Sequence, residues 1–181
     1  MLEKHLKRKK KEFNSMNKQV KLEEIITALE IQNDTNMAFF NKITGEVLVI
    51  DEEEYRAAEE DRDLMGYPAW QREVIKTAKD LIEDEDNYIR ITSKYDINEY
   101  EIMQNFCLSI SDQRISDELY YSIKGRGAFR RFKDLIKIFG IDNDWYQYRE
   151  EAIKQIAVDW CNENGIVYVI DSNTKNLNEQ C

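Results

Sequence analysis

The spacing of apolar residues changes period several times along this chain, and each change marks an element. Leu22, Ile25, Ile26 and Leu29 follow the i, i+3, i+4, i+7 rule of a short amphipathic helix. Met37–Asn41 and Glu46–Ile50 then read as strands, joined through Lys42-Ile43-Thr44-Gly45 as a hairpin with a glycine turn residue. Helical spacing returns over Glu53–Met65, and Gly66-Tyr67-Pro68 breaks it. Trp70, Val74, Ala78, Leu81 and Ile82 mark a further helix, and Tyr88–Thr92 reads as a third strand.

The second half is helical. Asp96 with Glu99 predicts a capping box for a helix through Leu108. Ser111 or Asp112 is the expected cap of the next, which carries Ile115, Leu119, Tyr120 and Ile123. Gly125 and Gly127 end that helix and start another, with an apolar face of Phe129, Phe132, Ile136 and Phe139 and a stop at Gly140. Asp144 with Gln147 is expected to cap the longest helix, which runs to about Glu163 and ends at Asn164-Gly165. Ile166–Ile170 reads as a final strand. The expected fold is α+β, a small antiparallel sheet packed by five to seven helices, with a helix-rich C-terminal half. Residues 1–19 read as a basic, disordered tail, 20–171 as a single α+β domain, and 172–181 as a loose C-terminal tail. Met16 precedes the first structured pattern and is a candidate natural start; a functional basic arm is the alternative reading of residues 1–15.

Composition sharpens this. With 42% hydrophobic residues in 181, the chain has material for a real core. No apolar run approaches the roughly 20 residues of a membrane span. Three cysteines, Cys107, Cys161 and Cys181, form no metal-type pair and cannot all pair internally. Cys107 and Cys161 sit in apolar helical contexts and read as packing residues. The expectation is a cytoplasmic protein with no membrane partner. Net charge is −10, unevenly spread. Residues 1–15 hold six Lys/Arg and two acids, a balance of +4, which leaves −14 for the rest. Such a globule repels nucleic acid unless a local patch reverses the field. His5 is the sole histidine and lies in the tail. That removes histidine-based acid–base catalysis, Ser-His or Cys-His pairs and histidine zinc ligands from the globule.

Three places carry candidate chemistry. Lys124–Lys137 holds six basic residues and one acid, Asp134. Arg126 lies between two glycines, and Arg130, Lys133, Asp134 and Lys137 share the face opposite the phenylalanines. Glycines, helix-start N–H groups and guanidinium groups together suit a phosphate or carboxylate. The competing reading is a solvated face with Arg130 and Asp134 as an i,i+4 pair. Gly-Arg-Gly is not a P-loop, because the Lys-Ser/Thr ending is missing. Arg149 is the second place. It falls within the apolar face of Trp145, Ala152, Ile153, Ile156 and Trp160, where a charge must pair or stack. Either it bridges to an acid of the N-terminal half, with its guanidinium over a tryptophan, or it awaits an anionic ligand. The third is the acidic run Asp51-Glu52-Glu53-Glu54 with Glu59-Glu60-Asp61-Arg62-Asp63. It lacks the glycine and ligand spacing of an EF-hand and reads as a solvated helix face with acids at a helix start. The aromatics show no interleaving with Arg or Lys like that of single-strand-binding sheets, and core packing accounts for most of them.

The strings Gly125-Arg126-Gly127-Ala128-Phe129-Arg130-Arg131-Phe132-Lys133-Asp134, Trp145-Tyr146 with Arg149-Glu150, and Trp160-Cys161 with Glu163-Asn164-Gly165-Ile166 resemble those of a bacterial group, uncharacterised protein family 0158. The Thr44-Gly45-Glu46-Val47 turn fits too, and the resemblance spans about Val20 to Val169. It implies a small cytoplasmic α+β protein and supplies no activity.

The leading functional expectation is a non-catalytic binding module. Arg126, Arg130, Arg131 and Lys133, with Arg149 as a further candidate, would contact an anionic partner, either nucleic-acid phosphate or an acidic protein. No catalytic residue, metal ligand or cofactor is assigned. The alternatives are a carboxylate- and metal-dependent enzyme acting on a phosphorylated or nucleotide substrate, and a protein–protein adaptor using the acidic surface.

Overall fold

A computed structural model describes residues 19–92 and 97–170. Seven helices and five strands occur among them, and the α+β expectation holds. The described residues fall into two compact units, one formed by 19–92 with 157–170, the other by 97–156.

In the first unit the order is β1 (Val20–Lys21), α1 (Leu22–Ile31), β2 (Asn36–Asn41), β3 (Val47–Asp51), α2 (Glu52–Glu59), α3 (Ala69–Glu83), β4 (Tyr88–Arg90) and, after the helices of the second unit, β5 (Tyr168–Val169). β2 is central in an antiparallel sheet ordered β3-β2-β4. Its middle residues, Ala38, Phe39 and Phe40, are all buried, because successive side chains point to opposite faces and both faces are covered. Phe39 joins Ile50 and the buried positions Ala57, Ala58, Ile75 and Ala78 of α2 and α3. Phe40, on the other face, meets Trp160 edge to face at 6.3 Å. The final strand is shorter than its apolar run, and it pairs in parallel with β1, which the residue pattern does not announce.

α2 stops at Glu59 rather than at Met65. Asp61 takes a left-handed φ of 50°, Arg62 N donates to Ala57 O at 3.0 Å and Asp61 N to Ala58 O at 3.2 Å. This is a Schellman ending with aspartate where glycine is usual. Trp70 is 66% exposed and not part of the core. It sits in the first turn of α3, whose buried positions begin only at Ile75.

The second unit holds α4 (Glu99–Ser109), α5 (Gln113–Ser122), α6 (Ala128–Ile138) and the residues of α7 (Asp142–Glu163) through Ile156. Asp96 lies outside the described residues. The residue that caps α4 is Asn98, whose Oδ1 accepts from Glu101 N at 3.1 Å. Asp112 caps α5 by accepting from the N–H groups of Arg114 and Ile115. α7 begins two residues before Asp144, with Trp145 N already donating to Ile141 O at 3.1 Å. The core is aromatic: Phe132 packs on Trp145 at 4.8 Å, and Phe106 on Trp145, Tyr148 and Phe132 at 5.3, 5.4 and 6.0 Å, all edge to face.

Cys107 and Cys161 are free and fully buried. Burial in apolar surroundings pushes each thiol up to about 11. At pH 8 the thiolate fraction is then about a hundredfold lower than for a thiol at the ordinary value. A Cys181→Ser variant is therefore expected to resist Ellman's reagent until urea unfolds it. Prompt native-state labelling of either thiol would contradict this burial.

Candidate functional site

α5 ends at Ser122, and the segment Lys124-Gly125-Arg126-Gly127 leads into α6. Gly125 and Gly127 have φ of 76° and 79°, so the chain reverses through two left-handed residues. Arg131, one turn into α6, reaches back over this loop. Its Nε donates to Ser122 O at 2.9 Å, Nη1 to Arg126 O at 2.6 Å and Nη2 to Lys124 O at 2.7 Å. One guanidinium thus satisfies a carbonyl left over at the end of α5 and two loop carbonyls. A side chain at Gly127 would place its Cβ 3.2 Å from Arg131 Nη1, so glycine serves there both for its φ and for its lack of a side chain.

The fork of Arg131 is directed at backbone, while Arg126 and Arg130 stand exposed. At about 100° per residue, Phe129, Lys133, Lys137 and Arg130 lie within an arc of roughly 100° on α6, and all four are exposed. The phenylalanine is a correction to the expected core face: Phe132 and Ile136 are buried, whereas Phe129 is 46% exposed. It lies at the edge of the apolar arc, and Lys133 Nζ sits 4.7 Å from its ring centroid. Before the loop, Lys124 Nζ lies 4.5 Å from the ring of Tyr121 and 4.7 Å from that of Tyr120. Tyr121 is 69% exposed. Aromatic and basic side chains are therefore interleaved at this surface, which the scattered positions of the aromatics along the chain conceal. The i,i+4 spacings of Tyr120 with Lys124 and of Phe129 with Lys133 are the signal that would have found it.

None of the six cations in Lys124–Lys137 forms an ion pair among the described residues. The i,i+4 pair expected between Arg130 and Asp134 is not made. Elsewhere the protein pairs its cations readily: Arg56 with Glu52, Arg62 with Glu60, Lys79 with Asp61 and Lys76 with Glu73.

Arg149 is not gathered into this surface. Its Nε and Nη2 donate to the carboxylate of Glu99, the first residue of α4, at 3.1 and 2.6 Å. The acid is one from the same helical unit and not from the N-terminal half, and Arg149 is 30% exposed rather than buried. Two donors on one carboxylate, partly shielded from water, place this pair between a surface bridge and a buried one. Arg149→Gln is expected to cost about 1–2 kcal/mol. A urea-denaturation double-mutant cycle with Glu99→Gln should recover most of that as coupling, and additive costs would show that the pair contributes nothing.

The acidic run is mostly solvated, with one exception. Glu54 is buried, its Oε1 accepting from Gln71 Nε2 at 2.8 Å while Oε2 has no hydrogen-bond partner among the described residues. Asp51 and the acids from Glu52 onward stand at the start of α2, where the helix dipole favours them. Asp63 caps the short turn Leu64–Gly66 by accepting from Met65 N at 3.1 Å. No group of three or more His, Cys, Asp or Glu residues has metal-binding geometry among the described residues. No helix among them is long and apolar enough to cross a membrane.

Comparison with known proteins bears on family alone. The UPF0158 protein PA5073 of Pseudomonas aeruginosa is 29% identical over 66 residues, which is 36% of this chain and 43% of that protein. The match thus spans less than half the length of that relative. No solved structure matches the chain. The sequence model of an uncharacterised protein family, UPF0158, matches residues 16–180, beyond both ends of the expected Val20–Val169. The chain, matched over nearly its whole length, belongs to the uncharacterised protein family UPF0158.

Proposed function

We propose that this protein is a non-catalytic binding module, acting in the cytoplasm, that holds an anionic partner on the surface around α6. Arg126, Arg130 and Lys133 make the contacts, and Arg131 fixes the loop that carries Arg126. The observation that supports this reading is the set of six cations that form no ion pair among the described residues, in a protein with ten more negative than positive charges. Excess acid elsewhere would neutralise these cations if charge balance were their purpose. Nucleic-acid phosphate and an acidic protein surface both have the required charge. Arg149, engaged by Glu99, serves the scaffold in this reading.

Heparin tests the charge requirement without presuming the partner. The full chain is expected to bind at low salt and elute as salt rises. Arg126→Glu/Arg130→Glu should abolish retention with an unchanged melting temperature, since neither side chain is buried. Retention unaffected by the double change would overturn the proposal.

A further inference from the structure

The aromatic rings on this surface narrow the partner. Resting on the binding role above, the geometry points to a single-stranded nucleic acid, whose unpaired bases stack on Tyr121 and Phe129 while Lys124, Arg126, Arg130 and Lys133 hold its phosphates. Two observations carry this beyond charge. The buried rings of this unit, Phe106, Phe132 and Trp145, pack against one another, whereas Tyr100, Tyr121, Phe129 and Tyr146 are exposed, and of these four Tyr121 and Phe129 flank the basic segment. Each exposed ring also has a lysine ammonium within 5 Å of its centroid. A cation against an aromatic face sets a phosphate-binding charge beside a base-sized apolar surface, the pairing of features that unpaired strands require. An acidic protein surface needs only the charges, whereas every unpaired base of a strand brings a planar ring to lie on the tyrosine.

The extent of the patch argues against a duplex. The six cations of this surface lie within Lys124–Lys137, and beyond the basic residues 1–15 the rest of the chain is strongly acidic. α6, with eleven residues, is about 16 Å long. That length matches a few nucleotides of one strand. A rigid duplex extends past it in both directions with twice the phosphate density, and so brings its charge against an acidic surface. A flexible strand turns its bases to the rings and its ends away from the protein.

The test uses the full chain and fluorescein-labelled 12-mers, rU12, dT12 and a mixed-sequence duplex, by fluorescence anisotropy at low salt. Tighter binding of either single strand than of the duplex is expected. Tyr121→Ala/Phe129→Ala should weaken single-strand binding at least tenfold with the salt slope unchanged, because stacking is lost while phosphate contacts remain. Tyr121→Phe/Phe129→Tyr should keep the affinity, since each ring persists. Both sites are exposed, and an unchanged melting temperature verifies folding. The rU12 and dT12 arms separate RNA from DNA. Equal binding of duplex, indifference to the alanine double change, or competition by poly-glutamate as strong as by unlabelled strand overturns this inference and leaves the anionic-partner reading standing. Loss of heparin retention in the wild-type chain is the separate result that removes both.

Discussion

Trp145→Ala is expected to cost about 3–5 kcal/mol, a large part of the stability of an ordinary domain. The indole is 1% exposed and meets Phe132 at 4.8 Å and Phe106 at 5.3 Å. Truncation removes the largest fully buried side chain of α7 and leaves two rings facing a void too large for them to close. The edge-to-face geometry with both phenylalanines is lost at the same time. Urea denaturation followed by far-UV circular dichroism measures the loss as a lowered midpoint. Phe129→Ala supplies the contrast. It removes a ring of similar kind from the same pair of neighbouring helices, but an exposed one, so its cost should stay under about 1 kcal/mol. Comparable costs for the two substitutions would contradict the division between a buried aromatic core and an exposed aromatic surface.

Arg131→Ala is the second large effect, at about 2 kcal/mol. It withdraws one cation that serves three carbonyls, one of them at the end of α5. Lysine should not rescue it. A single ammonium on a flexible stem cannot span acceptors on Ser122, Lys124 and Arg126 as a planar fork does. Gly127→Ala is expected to cost roughly 1–2 kcal/mol by its left-handed φ. It should also lose part of the Arg131 contact, since the new Cβ would press on Nη1. The two changes therefore share one structural cause, and their costs should sum to more than the double variant shows. Thermal melts of the three variants decide this. Full additivity would mean that the loop holds its shape without the arginine. The same geometry disqualifies Arg131 as a neutral site for charge reversal, which is why Arg126 and Arg130 are the pair to change when binding is tested.

Much of the architecture is legible in the residue pattern. The hairpin through Gly45, the caps Asp112 and Gly140 and the long last helix with its Asn164-Gly165 ending follow from local rules that one turn of chain can satisfy. What escapes is decided elsewhere. β1 is two residues long and exists only through a partner at the far end of the sequence. Trp70 and Phe129 lie at the edges of apolar arcs, where periodicity alone does not say whether a neighbour covers them. Glu54 belongs to an acidic run but turns inward to Gln71. At the candidate site the basic stretch is visible as composition, yet the division of labour within it is not. The acceptors of Arg131 are main-chain carbonyls, which leave no trace in side-chain pattern, whereas Arg130 shows its freedom only when Asp134 fails to pair with it.

The choice of carbonyls by Arg131 separates two things that salt usually confounds. A loop tied by carboxylate bridges loosens as ionic strength rises, so a fall in affinity reports both weaker contact and a disordered site. Here the ties run from a guanidinium to neutral acceptors at hydrogen-bonding distance, and mobile ions have little to screen. The loop bearing Arg126 should keep its shape in molar salt. A salt titration of this protein then counts the charges its partner displaces, on a surface that does not change while the counting is done.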